Sequence, residues 1–433
     1  HIKEAAEIIQ YNRGIDVDVH RVHAFKKDEK VLAQLKTGET NGCFYIESPA
    51  MRGLLKKLRC DNYRSLVAAS SIIRPGVAKS GMMREYIHRF HHPDDFEYLH
   101  PVMKEQLQET YGVMVYQEDV IKVCHHFAGL DLSDADVLRR AMSGKYRSRK
   151  EFDRIAARFF TNCREKGYSD ELTNEVWRQI SSFAGYSFSK AHSASFAVES
   201  FQSLFLKTYF PLEFQVAVIN NFGGFYRTWV YVNEARRKGA TIHMPCINTS
   251  QVQTSIQGSD VYLGFVHIQN LESKLVKHLL HERTIHGSFS SLEDFITRVP
   301  IGHEQMVLLI RIDAFRFTGK SKKELLWDAQ LALGHMKKQE ETANMFPVKS
   351  RTFKLPELEQ SPLENAYDEI ELLGFPVTLN MFDMLVTTFR GEILARDMLS
   401  HVGKKVRMLG RLVTTKNVRT VKKEWMHFGL SSM

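Results

Sequence analysis

Helical spacing of apolar residues runs from position 31 to about position 220 and constrains the fold more than any other feature of the chain. The pattern is interrupted by residues that end or kink helices, at Pro75-Gly76, His92-Pro93, Gly144 and Gly185. Two short apolar runs, at 42–48 and 112–119, could be strands or helix starts. The pattern predicts a mainly α architecture built from many short helices.

The remaining parts of the chain carry other patterns. Residues 2–12 predict a short amphipathic helix that Gly14 closes. Residues 240–248 and 261–268 predict strands separated by a polar turn. Prolines among charged residues between 341 and 366 predict a linker, and the alternation after residue 403 predicts three further strands.

The chain is basic, and its charge is concentrated. The net charge is +9, and residues 139–166 hold ten Arg or Lys against three Asp or Glu. This indicates either a polyanionic partner such as nucleic acid or a solvated helix face. The five cysteines form no CxxC pair, which predicts free thiols in a reducing cytosol. No apolar run approaches the roughly 20 residues that span a bilayer, so no membrane partner is expected.

The most informative stretch is residues 132–145, which read "LSDADVLRRAMSGK". Ser133 is expected to cap a helix, with Asp136 at the third helical position. Gly144 is expected to end that helix. The basic residues of this stretch therefore lie at a helix terminus.

Three cations of this stretch could bind one anion together. Arg139 and Arg140 are neighbours about 100° apart on the helix, and Lys145 lies just beyond its end. Guanidinium groups match phosphate oxygens two at a time, and an ammonium adds a point charge. The residues indicate a phosphate site, and the alternative is an exposed basic helix end, where cations also suit the helix dipole.

Residues 181–214 predict a long helix preceded by a glycine- and serine-rich turn. Ser189 or Ser193 can cap this helix, and Pro211 is expected to stop it. Its buried face is predicted from aromatic residues at helical spacing, Phe201, Phe205 and Tyr209. Lys190 and His192 lie at its entry, where they could meet an anion or a nucleotide or belong to a plain polar turn.

Three patterns resemble metal sites. Asp16 and Asp18 would share one face of a strand, as a pair of magnesium ions requires, unless they lie on an acidic strand edge or loop. The histidines from His88 to His100 are interrupted by Pro93 and lack a second ligand pair at a recognised spacing. The histidines of "HERTIH", at 281–286, are five positions apart and do not share a helix face. The histidines therefore predict no metal site.

Six segments together resemble one family, the bacterial DNA polymerase III alpha subunits, which are C-family replicative polymerases. They are "GCFYIESPAMRGLLKKL", "RPGVAKSGM", "YGVMVYQEDVIKV", "VLRRAMSGK", "FAGYSFSKAHSASFA" and "KTYFPLEF". They occur in the family's order over residues 42–214, and weaker similarity continues to the end. The resemblance covers a middle-to-late portion of the family's length.

The resemblance implies a mainly α multi-domain fold with a small α/β part and a C-terminal start of an OB-fold. Residues 1–40 resemble the exit from the palm, and 41–235 resemble the helical fingers. Residues 236–334 resemble the outer finger with its helix-hairpin-helix, 335–385 a linker, and 386–433 the opening strands of an incomplete OB-fold. Because the family's third catalytic aspartate falls shortly before His1, Asp16 and Asp18 match the catalytic motif only by coincidence.

The resemblance also implies a function and its residues. The parent protein would be a DNA-directed DNA polymerase that uses Mg²⁺ held outside this chain, so the chain alone is expected to be inactive. Arg139, Arg140 and Lys145 would contact the triphosphate of the incoming deoxynucleotide. Lys190 and His192 would lie in the matching glycine- and serine-rich turn and belong to the same nucleotide-binding pocket. The DNA backbone would be contacted by a basic set comprising Arg147, Arg149, Lys150, Arg154 and Arg158.

Two departures from the family concern partners. The segment "TANMF" stands where the family carries its sliding-clamp motif, so Met345 and Phe346 would anchor in the clamp, while Thr342 replaces the usual glutamine. Asn270-Leu271-Glu272 replaces the glycines of the hairpin, which is therefore expected to bind duplex weakly or to be only structural.

Other expected partners are primer-template DNA and further replicase subunits in the bacterial cytoplasm. The alternative function is a non-catalytic DNA- or clamp-binding module.

Overall fold

A computed structural model of the chain describes residues 1–73, 81–142, 149–182, 189–341, 361–419 and 425–432. These residues form two compact units. Unit 1 contains His1–His243 and Ser250–Gly264, and unit 2 contains Met244–Thr249 and Phe265–Met433. Helices dominate both units, so the predicted mainly α class is confirmed.

Unit 1 is built from short helices, which are labelled here in chain order. They are α1 (Ile2–Arg13), α2 (Val22–Phe25), α3 (Glu29–Thr37), α4 (Pro49–Leu58), α5 (Tyr63–Ile72), α6 (Met82–His91), α7 (Pro101–Leu107), α8 (Gln117–His126), α9 (Leu132–Met142), α10 (Arg149–Glu165), α11 (Asp170–Ser182), α12 (Lys190–Tyr209), α13 (Pro211–Asn220) and α14 (Thr228–Arg237). Many of them begin and end as the sequence predicts. Gly14 closes α1 with φ 68°, a conformation that a glycine adopts without strain. The runs at 42–48 and 112–119 are helix approaches with no strand ladder.

The helix α12 lies at the centre of unit 1 and packs against α1, α2, α3, α5 and α13. Its predicted aromatic face is confirmed: Phe201 is fully buried and the ring of Phe205 stacks on Phe25 at 4.0 Å. The hydroxyl of Tyr209 donates to Asp28 at 2.7 Å, and α12 ends there because Pro211 begins the next helix. This core fixes the entry of α12 relative to the surrounding helices.

A small sheet completes unit 1. Its strands are β1 (Thr241–His243), β2 (Ser255–Gln257) and β3 (Asp260–Tyr262) in the order β1-β3-β2. The pair β1–β3 is parallel, and the pair β2–β3 is antiparallel. The sequence predicted the first and third of these strands along the chain, β1 and β3, and missed β2. Val261 pairs with Ile242 and Ile256, and it packs with Leu212 of α13 in one apolar cluster.

Unit 2 contains five helices and a hairpin among its described residues. They are α15 (Ser273–His286), α16 (Leu292–Arg298), α17 (His303–Arg311), α18 (Lys322–Glu341), α19 (Pro362–Leu373), β4 (Arg411–Arg419) and β5 (Trp425–Ser432), with a 3-10 turn at Phe265–His267 before α15. The predicted linker over 335–385 is wrong in part, because α18 enters it and α19 lies inside it. Pro362 occupies the first helical turn behind the cap Ser361, so this proline starts a helix.

The prediction of three strands after residue 403 is also wrong, because the described residues form two, the antiparallel pair β4–β5. Arg407 lies in the segment where the third strand was expected. Its carbonyl accepts from the backbone N–H of Glu392 at 2.9 Å, and its own N–H donates to the Glu392 carboxylate at 3.0 Å. These bonds occupy the backbone groups that a further strand would need.

The described residues hold five buried free cysteines, as predicted. Over the same residues, no helix is both long enough and apolar enough to cross a bilayer.

Candidate nucleotide-binding site

The helix α8 begins with an internal cap that fixes its first turn. The Asp119 carboxylate accepts from the backbone N–H groups of Val115 and Tyr116, both at 2.9 Å. Burial raises the pKa of Asp119 to about 6, although the two backbone bonds favour its charged form. This cap holds Gln117 and Glu118, the first two residues of α8, in a defined orientation.

The start of α9 differs from the prediction. The backbone N–H of Asp134 donates to Asp131 at 2.8 Å, and the Ser133 hydroxyl donates to the same oxygen at 2.7 Å. Asp131 is therefore the cap, and the prediction of Ser133 is wrong because α9 already begins at Leu132. Hydrogen bonds from Ser133 and Asp134 hold the pKa of Asp131 below its usual value.

Arg139 and Arg140 converge on one carboxylate. Asp136, predicted to take part in the cap, accepts instead from Nη2 of Arg139 at 2.7 Å and from Nε of Arg140 at 2.9 Å. Nη1 of Arg139 also donates to Gln117 of α8 at 3.0 Å. Both guanidinium groups are thus held beside the first turn of α8.

The entry of α12 reaches the same turn of α8. The Glu118 carboxylate accepts from the Ser189 hydroxyl at 2.8 Å and from the backbone N–H of Lys190 at 3.0 Å. Nζ of Lys190 pairs with Glu109 at 2.5 Å and lies 5.3 Å from the ring centre of Tyr116. The first turn of α8 therefore contacts both the side chain of Arg139, through Gln117, and the backbone of Lys190, through Glu118.

A pocket of about 290 Å³ adjoins Lys190. Glu109 and Tyr116 contribute to its wall, together with Asn62, Arg64, Tyr86 and Tyr111. Aromatic faces with a few polar groups are typical of small-molecule pockets. Lys190 therefore lies beside a cavity that can hold part of a ligand, through its contacts with Glu109 and Tyr116 of the wall.

The other predicted site residues are placed as follows. His192 is exposed in the first turn of α12, with its ring 6.3 Å from that of Phe196. Lys145, Arg147 and the predicted clamp residues Thr342, Met345 and Phe346 lie outside the described residues, as does the side chain of Arg149.

The predicted DNA-binding set on α10 is tied to the start of α9. Arg154 pairs with Asp134 at 2.9 Å, and Arg158 pairs with Asp134 at 2.6 Å and with Asp131 at 3.2 Å. The two arginines remain about half exposed, whereas Lys150 is exposed on the first turn of α10. Part of the positive charge from which a nucleic-acid partner was predicted is therefore compensated by aspartates of unit 1.

The aspartate pair that resembles a magnesium site does not lie on a strand. Asp16 and Asp18 are exposed and lie in an irregular segment, where Asp18 accepts from the backbone N–H of His20 at 2.9 Å. Within the described parts of the chain, no group of three or more His, Cys, Asp or Glu is arranged to hold a metal ion.

Sequence reasoning missed three residues of this site, Glu109, Gln117 and Glu118, and it also missed the pairing of Asp136 with the two arginines. Their partners lie on other helices or a turn away, so residue type alone gave no signal. The cap at Tyr116–Asp119 could have been found, because an acidic residue three positions into a helix after an apolar run is a recognised start pattern.

The hairpin of unit 2 that precedes α15 is closed by a side chain. The Gln305 carboxamide accepts from the backbone N–H of Glu272 at 2.9 Å and donates to the carbonyl of Asn270 at 3.1 Å. Asn270 has φ 61°, a conformation that favours glycine. A backbone donor that a glycine-rich hairpin would offer to phosphate is therefore bonded to Gln305.

Comparisons with known proteins agree with this architecture. The sequence signature described as the bacterial DNA polymerase III alpha subunit finger domain matches residues 1–167, and that of the helix-hairpin-helix motif matches residues 239–325. The DNA polymerase III subunit alpha of Staphylococcus aureus is 31% identical over 381 residues, which are 87% of this chain and 35% of that protein. The subunit of Aquifex aeolicus is 32% identical over 389 residues, 88% of this chain and 32% of that protein.

The chain spans about a third of the length of the curated relatives it matches. The finger match contains Arg139 and Arg140 of the site, and the second match contains the hairpin closed by Gln305. The chain therefore belongs to the family of bacterial DNA polymerase III alpha subunits and corresponds to a portion with the finger domain and the helix-hairpin-helix motif.

Proposed function

We propose that this chain provides the nucleotide- and DNA-binding fingers of a polymerase that carries out template-directed DNA synthesis. The family membership supports this, and so does the convergence of cations at the first turn of α8. The incoming deoxynucleoside triphosphate would bind where Arg139, Arg140 and Lys190 meet. Primer-template DNA, the sliding clamp and other replicase subunits are the proposed partners of the parent protein.

One observation carries the proposal. Arg139 and Arg140 share the Asp136 carboxylate, and Arg139 is tied to Gln117, next to the residue that binds the backbone of Lys190. Phosphate oxygens are acceptors of the same kind as carboxylate oxygens, and they bind guanidinium groups in the same geometry. The arrangement holds two guanidinium groups together and ties the backbone of Lys190 to the same helix turn, and such a set of cations suits an anion that carries several charges.

The chemistry of nucleotidyl transfer suits such a site. Negative charge gathers on the leaving pyrophosphate, and preplaced cations stabilise it without having to reorganise. Magnesium ions in the parent would activate the attacking hydroxyl and neutralise the phosphates. We assign their ligands to parts of the polymerase other than the residues described here, and the chain by itself is proposed to bind DNA without extending a primer.

Removing both arginines tests the proposal. In the full-length polymerase, the double variant Arg139→Ala/Arg140→Ala should raise the KM for deoxynucleotides or lower kcat by about tenfold or more. A charge-assisted hydrogen bond contributes about 1.5–3 kcal/mol, and tenfold corresponds to about 1.4 kcal/mol. Steady-state primer extension with a varied deoxynucleotide concentration provides the measurement.

Arg178→Ala is the matched control. Arg178 pairs with Glu175 three positions earlier on α11, in the same way that Arg139 pairs with Asp136, and it is more exposed. Its replacement should leave both kinetic constants within about twofold, because an exposed pair of this kind contributes little. Kinetics of the double variant equal to those of the control would remove the arginines from the site and favour a non-catalytic DNA- or clamp-binding module.

A further inference from the structure

A second pocket of unit 1 carries an unusual set of side chains. It has a volume of about 550 Å³ and lies between α6 and the last turn of α4. Its wall contains Lys57, Arg84, His88, His91 and His92, and it contains no carboxylate. None of these residues belongs to the site at the first turn of α8.

The helix geometry places these groups on one face. Arg84, His88 and His91 are spaced four and three positions apart on α6, so their side chains lie side by side. Nε2 of His91 lies 2.7 Å from the carbonyl oxygen of Lys57, which ties α6 to α4 at the pocket. The ring centres of His88 and His92 are 5.1 Å apart.

The surrounding acidic groups leave the pocket positive. Glu85 on α6 pairs with Arg89 at 2.8 Å on the wall of an adjoining pocket, which shares Arg84 with this one and also contains Glu175. The last turn of α4 contributes Lys57 to the wall, and it adds no acidic residue. Beyond the helix end, Asp94 and Asp95 are exposed and lie outside the pocket wall.

The chemistry of this wall selects an anion. Two permanent cations repel a metal ion, although histidines four positions apart such as His88 and His92 could otherwise chelate one. An anion is therefore the ligand that the side chains of this wall favour.

We propose that this pocket binds a phosphate group of a nucleic-acid backbone. The inference rests on the proposed function, because it assigns a second contact for the DNA that the fingers would handle. Phosphate contacts are the main source of affinity for DNA, and each one adds to the salt dependence of binding.

The test compares DNA binding by the 433-residue chain and its variants at pH 8. Fluorescence anisotropy with a labelled duplex at constant ionic strength measures the affinity. Arg84→Ala should weaken binding about fivefold or more because it removes a charge-assisted phosphate contact, and His88→Gln/His92→Gln should also weaken it. The matched control His20→Gln/His23→Gln removes two exposed histidines of unit 1 elsewhere and should leave the affinity unchanged.

The outcomes separate this inference from the proposed function. Absence of salt-sensitive DNA binding by the unmodified chain at pH 8 would contradict the proposed function. Salt-sensitive binding by the unmodified chain, with the same affinity in Arg84→Ala and His88→Gln/His92→Gln, would overturn the pocket alone. Two further measurements replace DNA with inorganic phosphate or with Zn²⁺. The assignment to nucleic acid would be overturned if binding of phosphate or Zn²⁺ depended on His88 and His92 but binding of DNA did not.

Discussion

At the scale of single residues, His267 links the stability of unit 2 to pH. Burial lowers the pKa of His267 to about 4, against an ordinary value near 6.5. Between these two values the unfolded chain binds a proton that the folded chain excludes. The free energy of unfolding is therefore at its full value above pH 6.5 and falls as the pH is lowered toward 4.

Replacing His267 should flatten this dependence. Lowering the pH from 7 to 5 should reduce the free energy of unfolding by roughly 2 kcal/mol, because the buried imidazole of His267 stays neutral while the unfolded chain takes up a proton. His267→Gln should remove this reduction. Urea denaturation at the two pH values, followed by circular dichroism, measures it. The control His281→Gln, at an exposed position of α15, should keep the original dependence; equal slopes in all three proteins would contradict the assignment.

Individual residues also mark how far the sequence could lead. Arg139 and Lys190 could be selected because cations at helix ends suit an anion whatever the tertiary fold. Glu118 could not be selected, because its bond to Ser189 joins positions 71 apart and exists only through the packing of α8 beside α12. Asp131 was missed as a cap because Ser133, two positions later, is an equally good cap by residue type.

At the scale of elements, the closed hairpin of unit 2 is the clearest departure from the family. Gln305 on α17 bonds both sides of the turn that precedes α15, so the turn is stabilised by a neighbouring helix. Glu272 adds a negative charge where a phosphate would approach. The sequence predicted the repulsion, but it could not predict the bond from Gln305, which lies 33 positions away.

The hairpin predicts a stability effect. Gln305→Ala should lower the free energy of unfolding by about 1–2 kcal/mol, since two partly exposed hydrogen bonds contribute roughly 0.5–1.5 kcal/mol each. Chemical denaturation in guanidinium chloride measures the change. Gln330→Ala, at an exposed position of α18, makes the same helical substitution and should be close to neutral. A midpoint for Gln305→Ala equal to that of the control would show that the hairpin does not depend on Gln305.

Strands show why element prediction was uneven. The strands at Thr241–His243 and Asp260–Tyr262 were predicted because each carries β-branched or aromatic residues, which favour strands. The strand β2 was missed because its Gln- and Ser-containing sequence is typical of a turn, and pairing with β3 decides its conformation. Residues 404–410 alternate in the same way as β4 but form no strand, since Arg407 bonds Glu392 instead.

At the scale of the whole molecule, the number of basic residues overstates the cations available to a partner. The 59 Lys and Arg residues include Arg139, Arg154 and Arg158, each of which already pairs with an aspartate of α9 or its cap. The chain divides into two units, and the finger signature lies in unit 1. We therefore expect DNA binding that is salt-sensitive but weaker than the charge alone suggests.

Salt titration provides the measurement for the whole chain. At pH 8, the logarithm of the affinity for duplex DNA should fall with the logarithm of salt concentration with a slope of about −3 to −6, as for a few phosphate contacts. Lys150→Gln should make this slope shallower by about 1. Lys3→Gln, at a highly exposed position of α1, is the control and should leave it unchanged. A flat dependence for the unmodified chain would contradict DNA binding through phosphates.

The carboxylate shared by Arg139 and Arg140 has a consequence for turnover. Asp136 lies on the same helix, so it is available to both guanidinium groups at every moment when no phosphate is bound. When pyrophosphate leaves, Arg139 and Arg140 would not remain unpaired, because a rotamer change would be enough to return the Asp136 carboxylate to them. We expect this returning partner to lower the barrier to product release and to reset the fingers for the next nucleotide.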